Sequence, residues 1–231
     1  MSVSASGTDI RGMFDRIAGR YDRANRIMSA GVDVLWRRKA IGKLVVGLGD
    51  SPCVLDLGAG TLDGAIEILS RRPGARVFAA DFARNMLVLG RKKPRAAKVQ
   101  IQVADGHALP YQDQSFDAAF SAFCVRNLRE LDQGLAELRR VVRPGGPIAI
   151  LEFFRPSRRR PFWDGFYNAR VLPLLGRAVT GDEAAYRYLP ESIAGFLTRE
   201  EFEACLRRAG FAQVQGNDLF PAGVASLVVA E

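Results

Sequence analysis

Cysteine and histidine are scarce. Cys53, Cys124 and Cys205 form an odd, widely spaced trio, and His107 is the single histidine. Such a trio excludes a disulfide scaffold. With no Cys-x-x-Cys pair and no second histidine, no zinc-type ligand set is in view, and no metal is expected. Long apolar runs are missing too. None approaches 18 residues, so no segment reads as membrane-spanning, and the polar stretch from Met1 to Asp9 lacks the apolar region of a signal peptide. Acidic residues are the minority charge, 25 Asp and Glu against 33 Lys and Arg, a net charge of +8. What is present is a 231-residue chain with 48% hydrophobic residues, too apolar for disorder and long enough to bury a full core. The expectation is a reduced, intracellular, soluble protein. Basic clusters recur at Arg37-Arg38-Lys39, Arg91-Lys92-Lys93, Arg139-Arg140, Arg158-Arg159-Arg160 and Arg207-Arg208. They read equally as solvated faces or as attraction to nucleic acid or anionic lipid, and composition does not choose.

Periodicity divides the chain. Ile10, Met13, Phe14, Ile17, Ala18 and Tyr21 fall on one face of an amphipathic helix. A second helical stretch runs through Val34, Leu35 and Ile41. Strand and helix then alternate: strands over 53–57, 76–80, 99–103, 118–123 and 148–153, and helices over 65–71 and 85–93. A further helix is marked by Leu128, Leu131, Leu135, Leu138 and Val142 and stopped by Pro144-Gly145-Gly146. Repeated β-α-β units with apolar strands imply a parallel sheet with helices on both faces. An insertion with a wide apolar helical face over 161–175 follows, then a helix opened by a Thr198–Glu201 capping box. The last two extended segments, 212–219 and 224–230, are too close for an intervening helix and should pair antiparallel. The expected architecture is an α/β, Rossmann-like seven-stranded sheet, mostly parallel with the last strand antiparallel. It forms one domain over 1–231, with an N-terminal helical cap at 1–50 and a helical insertion at 154–197 over the substrate site.

The most informative segment is the apolar strand that runs into Gly58, Ala59, Gly60 and Thr61. Glycines lack Cβ atoms, so a ligand can approach the backbone, and the helix that follows offers free N–H groups to a carboxylate or phosphate. Asp56 can orient the turn or face an ammonium group. Asp81 ends the second strand, where a carboxylate can accept both ribose hydroxyls of an adenosine, and Phe82 beside it can pack on adenine. Asp105 ends the third strand within reach of an adenine amino group. Each Asp alone is also a serviceable helix cap or loop solvator, but three on one carboxyl edge of a sheet point to a ligand there. A dinucleotide would want glycine where Asp63 stands in GxGxxG. The Gly145-Gly146 turn and the closing hairpin favour S-adenosylmethionine (SAM) instead.

From about Met13 onward the chain resembles the ubiquinone/menaquinone biosynthesis C-methyltransferase family, class I SAM-dependent enzymes. The stretch Phe14-Asp15-Arg16-Ile17-Ala18-Gly19-Arg20-Tyr21-Asp22, with Asn25, Met28-Ser29, Gly31 and Leu35-Trp36-Arg37, is similar to that family's N-terminal signature. Val125-Arg126-Asn127 resembles its arginine-asparagine motif. Leu151-Glu152-Phe153, then 171–176 and Tyr186-Arg187-Tyr188-Leu189-Pro190-Glu191-Ser192, resemble its insertion. The resemblance implies methylation of a ring carbon on a polyprenyl quinol such as demethylmenaquinol. The alternative is a diverged relative acting on a small aromatic or polyketide-like metabolite.

That chemistry assigns roles. Arg126 can stabilise a developing phenolate and position a water to take the proton, since an arginine stays protonated and is a poor base itself. Asn127 can hold a quinol oxygen, and Tyr21 can close over the site. Tyr186, Arg187 and Tyr188 are expected at the substrate wall. Asp56, Gly58, Gly60, Thr61, Asp81, Phe82, Asp105, Gly106 and Ala122 are the expected donor-binding residues. The apolar helix over 161–175 reads as core or as a path for the isoprenoid tail, with Arg158–Arg160 touching an anionic membrane there. His107 is expected to be solvated. Leu62 stands where the family has glycine and is expected to add bulk beside the donor's amino-acid end. Ala122 replaces a serine and Cys124 a small residue. Expected partners are a quinol or other aromatic small molecule and an anionic membrane met peripherally from the cytoplasm. A homodimer is also in view, and nucleic acid is not.

Overall fold

A computed structural model describes residues 7–157, 183–220 and 224–231. Seven strands make one sheet: β1 (Cys53–Leu57), β2 (Arg76–Asp81), β3 (Gln100–Val103), β4 (Ala118–Ala122), β5 (Ile148–Glu152), β6 (Val214–Asp218) and β7 (Ser226–Ala230). Their order is β3-β2-β1-β4-β5-β7-β6. The first five are parallel, whereas β7 runs antiparallel to both β5 and β6. β1 lies at the centre and is buried along its whole length, which is why it is continuously apolar apart from Asp56.

Strand residues alternate between two cores. Val54, Val77, Phe120 and Leu151 pack with α2 (Val32–Leu44) and α3 (Asp63–Arg71), and Leu87 of α4 (Arg84–Gly90) joins them. Leu55, Leu57, Ile148 and Ile150 pack on the other face with α5 (Leu131–Val141) and α7 (Arg199–Arg208). The expected Thr198–Glu201 capping box opens α7. The N-terminal helix α1 (Gly7–Met28) buries Ile10, Met13, Ile17 and Ala18, the stripe its periodicity marks. It lies along the carboxyl edge of the sheet, packing against both α4 and α6 (Glu183–Ala194).

Several boundaries differ from expectation for local reasons. β4 stops at Ala122 because Phe123 takes a positive φ of 56°. β5 stops at Glu152, and Phe153 instead stacks on Phe123 at 4.5 Å. Leu128 precedes α5 rather than belonging to it, after a 3₁₀ turn over Val125–Asn127. α4 ends at Gly90, and residues 91–93 continue as hydrogen-bonded turns. The expected helix over 161–175 and the Arg158–Arg160 run lie outside the described residues. Among those that are described, no helix is long and apolar enough to cross a membrane.

Candidate active site

Where β1 and β4 part, the strand order reverses, and open α/β sheets bind ligands in that crevice. A cleft open to solvent occupies it. Its lining includes Tyr21 and Asn25 of α1, Asp56, the glycine turn, Ala122 and Phe123.

The donor side is built on backbone. Gly58 and Gly60 have φ of 67° and 52°. A Cβ on Gly58 would collide with the Cys124 side chain, so the thiol fills the space this glycine leaves. Asp56 is 2% exposed, and its Oδ2 has no hydrogen-bond partner among the described residues. Burial pushes its carboxyl up to about 7, against the pull of the Ala65 backbone N–H and of Arg37. Asp81 accepts the Gly60 N–H at 2.8 Å and the Ala83 N–H at 2.7 Å. Burial still lifts it to about 6. Its carboxylate therefore braces the turn while keeping further lone pairs free.

Leu62 corrects one expectation. It adopts φ 68° at the start of α3, and its side chain is fully buried in the core rather than in the cleft. It packs where α4 presents Gly90, whose Cβ would meet Leu62 Cγ at 2.5 Å. The strained backbone is held by apolar burial, and the donor side stays open. His107 corrects another. Its ring is only 19% exposed, with Nδ1 2.5 Å from Asp105 Oδ1 and Nε2 accepting the Glu130 N–H at 3.2 Å. It thus ties the loop after β3 to the start of α5. Partial burial raises the Asp105 carboxyl, but the His107 backbone N–H and ring outweigh it and hold the group below its ordinary value.

Asp81, Phe82, Asp105 and Gly106 are brought to the same sheet edge but lie outside the cleft lining. Phe14 of α1 sits edge-on against Phe82 at 6.1 Å, covering that flank. Thr61 is engaged as well: its hydroxyl donates to Asp22 at 2.5 Å and accepts from Lys93 at 2.9 Å. Around it, Lys93 bridges Asp22 and Asp63 at 2.6 Å each, while Arg26 pairs with Asp33 and Asp63. Sequence reasoning missed this network because its members are charged residues scattered over α1, α2, α3 and the turn after α4.

Next to Phe123 a cluster of side chains adjoins the cleft; of the expected catalytic residues Tyr21 lines the cleft, whereas Arg126, Asn127 and Tyr188 lie outside its lining. Arg126 is nearly buried, 6% exposed, so it is no surface ion pair. Its Nη1 donates to Glu152 at 2.6 Å and to the Phe123 carbonyl at 2.9 Å, and its Nε to Ser192 at 3.3 Å. Asn127 Oδ1 accepts the Tyr188 hydroxyl at 2.7 Å. Tyr188 and Ser192 lie four residues apart, on one face of α6, and this spacing explains why the Tyr-Arg-Tyr-Leu-Pro-Glu-Ser segment meets the Arg-Asn pair. Tyr186 and Arg187 belong to the same helix, but their side chains lie outside the described residues. Tyr21 hydrogen-bonds Asn25, and burial raises its phenol. Glu152 was read only as part of a motif; its signal is a lone charge ending a strand buried throughout.

The strand order, the glycine turn after β1 and the carboxylates ending β1 and β2 define a class I methyltransferase fold. Solved structures share it. The methyltransferase bound to the Haloferax volcanii Trm112 activator superposes with a TM-score of 0.68 at 16% identity, covering 94% of this chain and 96% of that one. A phosphoethanolamine N-methyltransferase of Haemonchus contortus, solved with S-adenosyl-L-methionine, gives 0.62 at 17% identity over 84% of this chain and 51% of that one. The chain belongs to the ubiE/COQ5 methyltransferase family, whose model matches residues 2–230. It is 41% identical to a demethylmenaquinone methyltransferase of Thermus thermophilus, over 95% of this chain and 99% of that protein. It is 40% identical to the ubiquinone/menaquinone biosynthesis C-methyltransferase UbiE of Paracoccus denitrificans, over 94% and 88% respectively.

Proposed function

We propose that this enzyme methylates a ring carbon of a polyprenyl quinol such as demethylmenaquinol, using SAM, in quinone biosynthesis. The carrying observation is the convergence of Tyr21, Arg126, Asn127 and Tyr188 beside the glycine turn, in a chain whose relatives bear those names. The donor side fits a cationic amino acid: Asp56 lines the cleft with a buried Oδ2 that has no partner among the described residues and lies beside Gly64, and Gly60 offers backbone with open space where a Cβ would stand. SAM supplies the methyl group already activated on a sulfonium.

The protein's task is to orient and to manage one proton. Holding the ring in line can lower the barrier by roughly 7–11 kcal/mol. A carbon–methyl bond forms, the sulfur–methyl bond breaks, and the ring gives up one proton to water. Arg126 stabilises the phenolate that makes the carbon nucleophilic and orders the accepting water. Asn127, held by Tyr188, receives a ring oxygen, and Tyr21 closes the top. Tyr186, Arg187 and Tyr188 form the ring's outer wall. Asp56 faces the donor's ammonium. Gly58, Gly60 and Thr61 shape its amino-acid pocket, and Asp81 accepts ribose hydroxyls. Phe82, Asp105, Gly106 and Ala122 complete the adenosine side.

We read the chain as one domain in which 1–50 caps the cleft and 154–197 covers the substrate. A lipid-tailed substrate calls for peripheral contact with an anionic membrane from the cytoplasmic side, and the net charge of +8 suits such a surface. The test supplies pure protein with methyl-labelled SAM and reduced demethylmenaquinone. A ring-methylated product is expected. Donor binding by calorimetry without any such product removes the reading.

A further inference from the structure

Glu152 has no part in the roles above, yet it is the carboxylate buried deepest beside the ring wall, with its side chain 0% exposed. It grips one residue twice. Oε1 accepts Arg126 Nη1–H at 2.6 Å, and Oε2 accepts the Arg126 backbone N–H at 3.3 Å. Its own place is fixed by the Phe153 backbone N–H, which donates to Oε1 at 2.7 Å. Beneath, the guanidinium carbon stands 5.8 Å from the centre of the Phe153 ring. With Nη1 spent on Glu152 and the Phe123 carbonyl, and Nε on Ser192, only Nη2 has no partner among the described residues. The Tyr21 and Tyr188 phenols both act electrostatically on this guanidinium, and Tyr188 is hydrogen-bonded to the neighbouring Asn127.

A buried ion pair is a poor stabilising device. Taking both charges out of water offsets most of their attraction, and apolar replacements of the same volume often do as well. This pair stands at the end of a strand whose other residues are all apolar, where a geometric role accounts for it better than a stabilising one.

We propose that Glu152 is a positioning residue for the methyl transfer: by clamping Nη1 and the backbone of Arg126, it presents the Nη2 edge to the substrate's ring oxygen. The kinetic part rests on the quinol reading; the clamp itself does not. A neutral amide at 152 keeps the shape but lets the guanidinium swing, so a phenolate would meet a donor that must be reorganised during the reaction.

The test compares the wild type with Glu152→Gln, Glu152→Asp, Arg126→Lys and the double variant Arg126→Lys/Glu152→Gln. Nitrogen-15 NMR of the Arg126 side chain, recorded without substrate, should show slow rotation about the Nε–Cζ bond in wild type and fast rotation in Glu152→Gln. With SAM and reduced demethylmenaquinone, Glu152→Gln should lose 10- to 100-fold in kcat, with the quinol KM and the SAM Kd within twofold. Glu152→Asp should recover part of that loss. If Glu152 acts through Arg126, the double variant falls within twofold of Arg126→Lys alone. Fast rotation already in wild type, a Glu152→Gln kcat within twofold of wild type, or losses that multiply in the double variant would each overturn the proposal. Should Glu152→Gln fail to fold, Glu152→Asp carries the same two readouts. If the wild type leaves the quinol unmethylated, the quinol reading falls while the NMR still decides the clamp.

Discussion

The two sides of the candidate site, the turn that lines the cleft and the side-chain cluster that adjoins it, are made of different material. On the donor side, Asp56, the turn from Gly58 to Thr61 and Asp63 line the surface, and the backbone sets its shape: three φ angles in this segment are positive, at Gly58, Gly60 and Leu62. On the ring side the backbone contributes little. Side chains arrive from α1, the 3₁₀ turn, the end of β5 and α6, and meet through Arg126–Glu152, Arg126–Ser192 and Tyr188–Asn127 bonds. A wall of backbone fails by steric collision. A wall of side chains can lose its chemistry while keeping its shape.

The sharpest contrast sets Gly58→Ala against Arg126→Ala. In Gly58→Ala the new methyl meets Cys124 and a φ of 67° at once. Left-handed strain alone costs of order 1–3 kcal/mol, and the collision adds to it. The expected result is at least 100-fold weaker SAM binding by calorimetry together with a lower Tm. Arg126→Ala should behave in the opposite sense: kcat down about 10²–10³-fold, as when one preorganised donor is removed, with SAM Kd within threefold. Near-normal donor affinity in the first variant, or lost affinity in the second, would erase the distinction between the walls.

Leu62 tests where the donor wall ends. Its side chain belongs to the core, so Leu62→Ala should cost about 2–5 kcal/mol of stability, the usual range for a buried leucine, measured by denaturant unfolding. SAM affinity should change less than threefold. A variant that binds SAM more tightly at unchanged stability would put the leucine back in the cleft.

Titration separates the walls again. Asp56 and Asp81 have carboxyls raised to about 7 and about 6, from an ordinary value of 3.8. Between pH 4 and 7 the native state therefore holds protons that the unfolded chain has released, and stability falls as pH rises through that window. The lowered carboxyls, Asp63 and Asp105 among them, act on the acid side of it. Donor-free protein should melt higher at pH 5 than at pH 8, by on the order of 2 kcal/mol in stability. Asp56→Asn should flatten that slope, stabilising the free protein at pH 8 while weakening SAM binding. An unchanged slope in the variant would mean that Asp56 is ionised in the native state.

The same difference of material decides what the sequence could reveal. The parallel sheet, the glycine turn and the acids ending β1 to β3 are local patterns, set within a few residues by strand burial and tight turns. The pairing of 212–219 with 224–230 followed from spacing alone, and β6 and β7 bear it out. Leu62 was misplaced because a one-dimensional pattern names the residue at a turn without giving its φ, and φ decides which side the side chain takes. His107 was misread for a related reason: its partner Glu130 is 23 residues away. Glu152 had a weak signal, a charge in an apolar strand, whose partner Arg126 could be located only by folding.

The smallest predicted effect probes the side-chain wall at its outer edge. Tyr188 donates to Asn127 Oδ1 at 2.7 Å from a half-buried position. Tyr188→Phe keeps the ring and its packing against the cluster of Met13, Ile17 and Ala24. It removes one neutral hydrogen bond, worth about 0.5–1.5 kcal/mol. Among the described residues the Asn127 side chain would retain only its long 3.5 Å contact to the Phe123 carbonyl, which leaves its amide freer to turn. The expected outcome is a two- to tenfold rise in quinol KM, with SAM Kd unchanged and Tm lowered by a few degrees at most. Tyr188→Leu, which removes the ring too, should add a stability loss without a proportionate further change in KM. If Tyr188→Phe instead lowered SAM affinity, the hydroxyl would belong to the donor wall, and the division at the glycine turn would have to be redrawn.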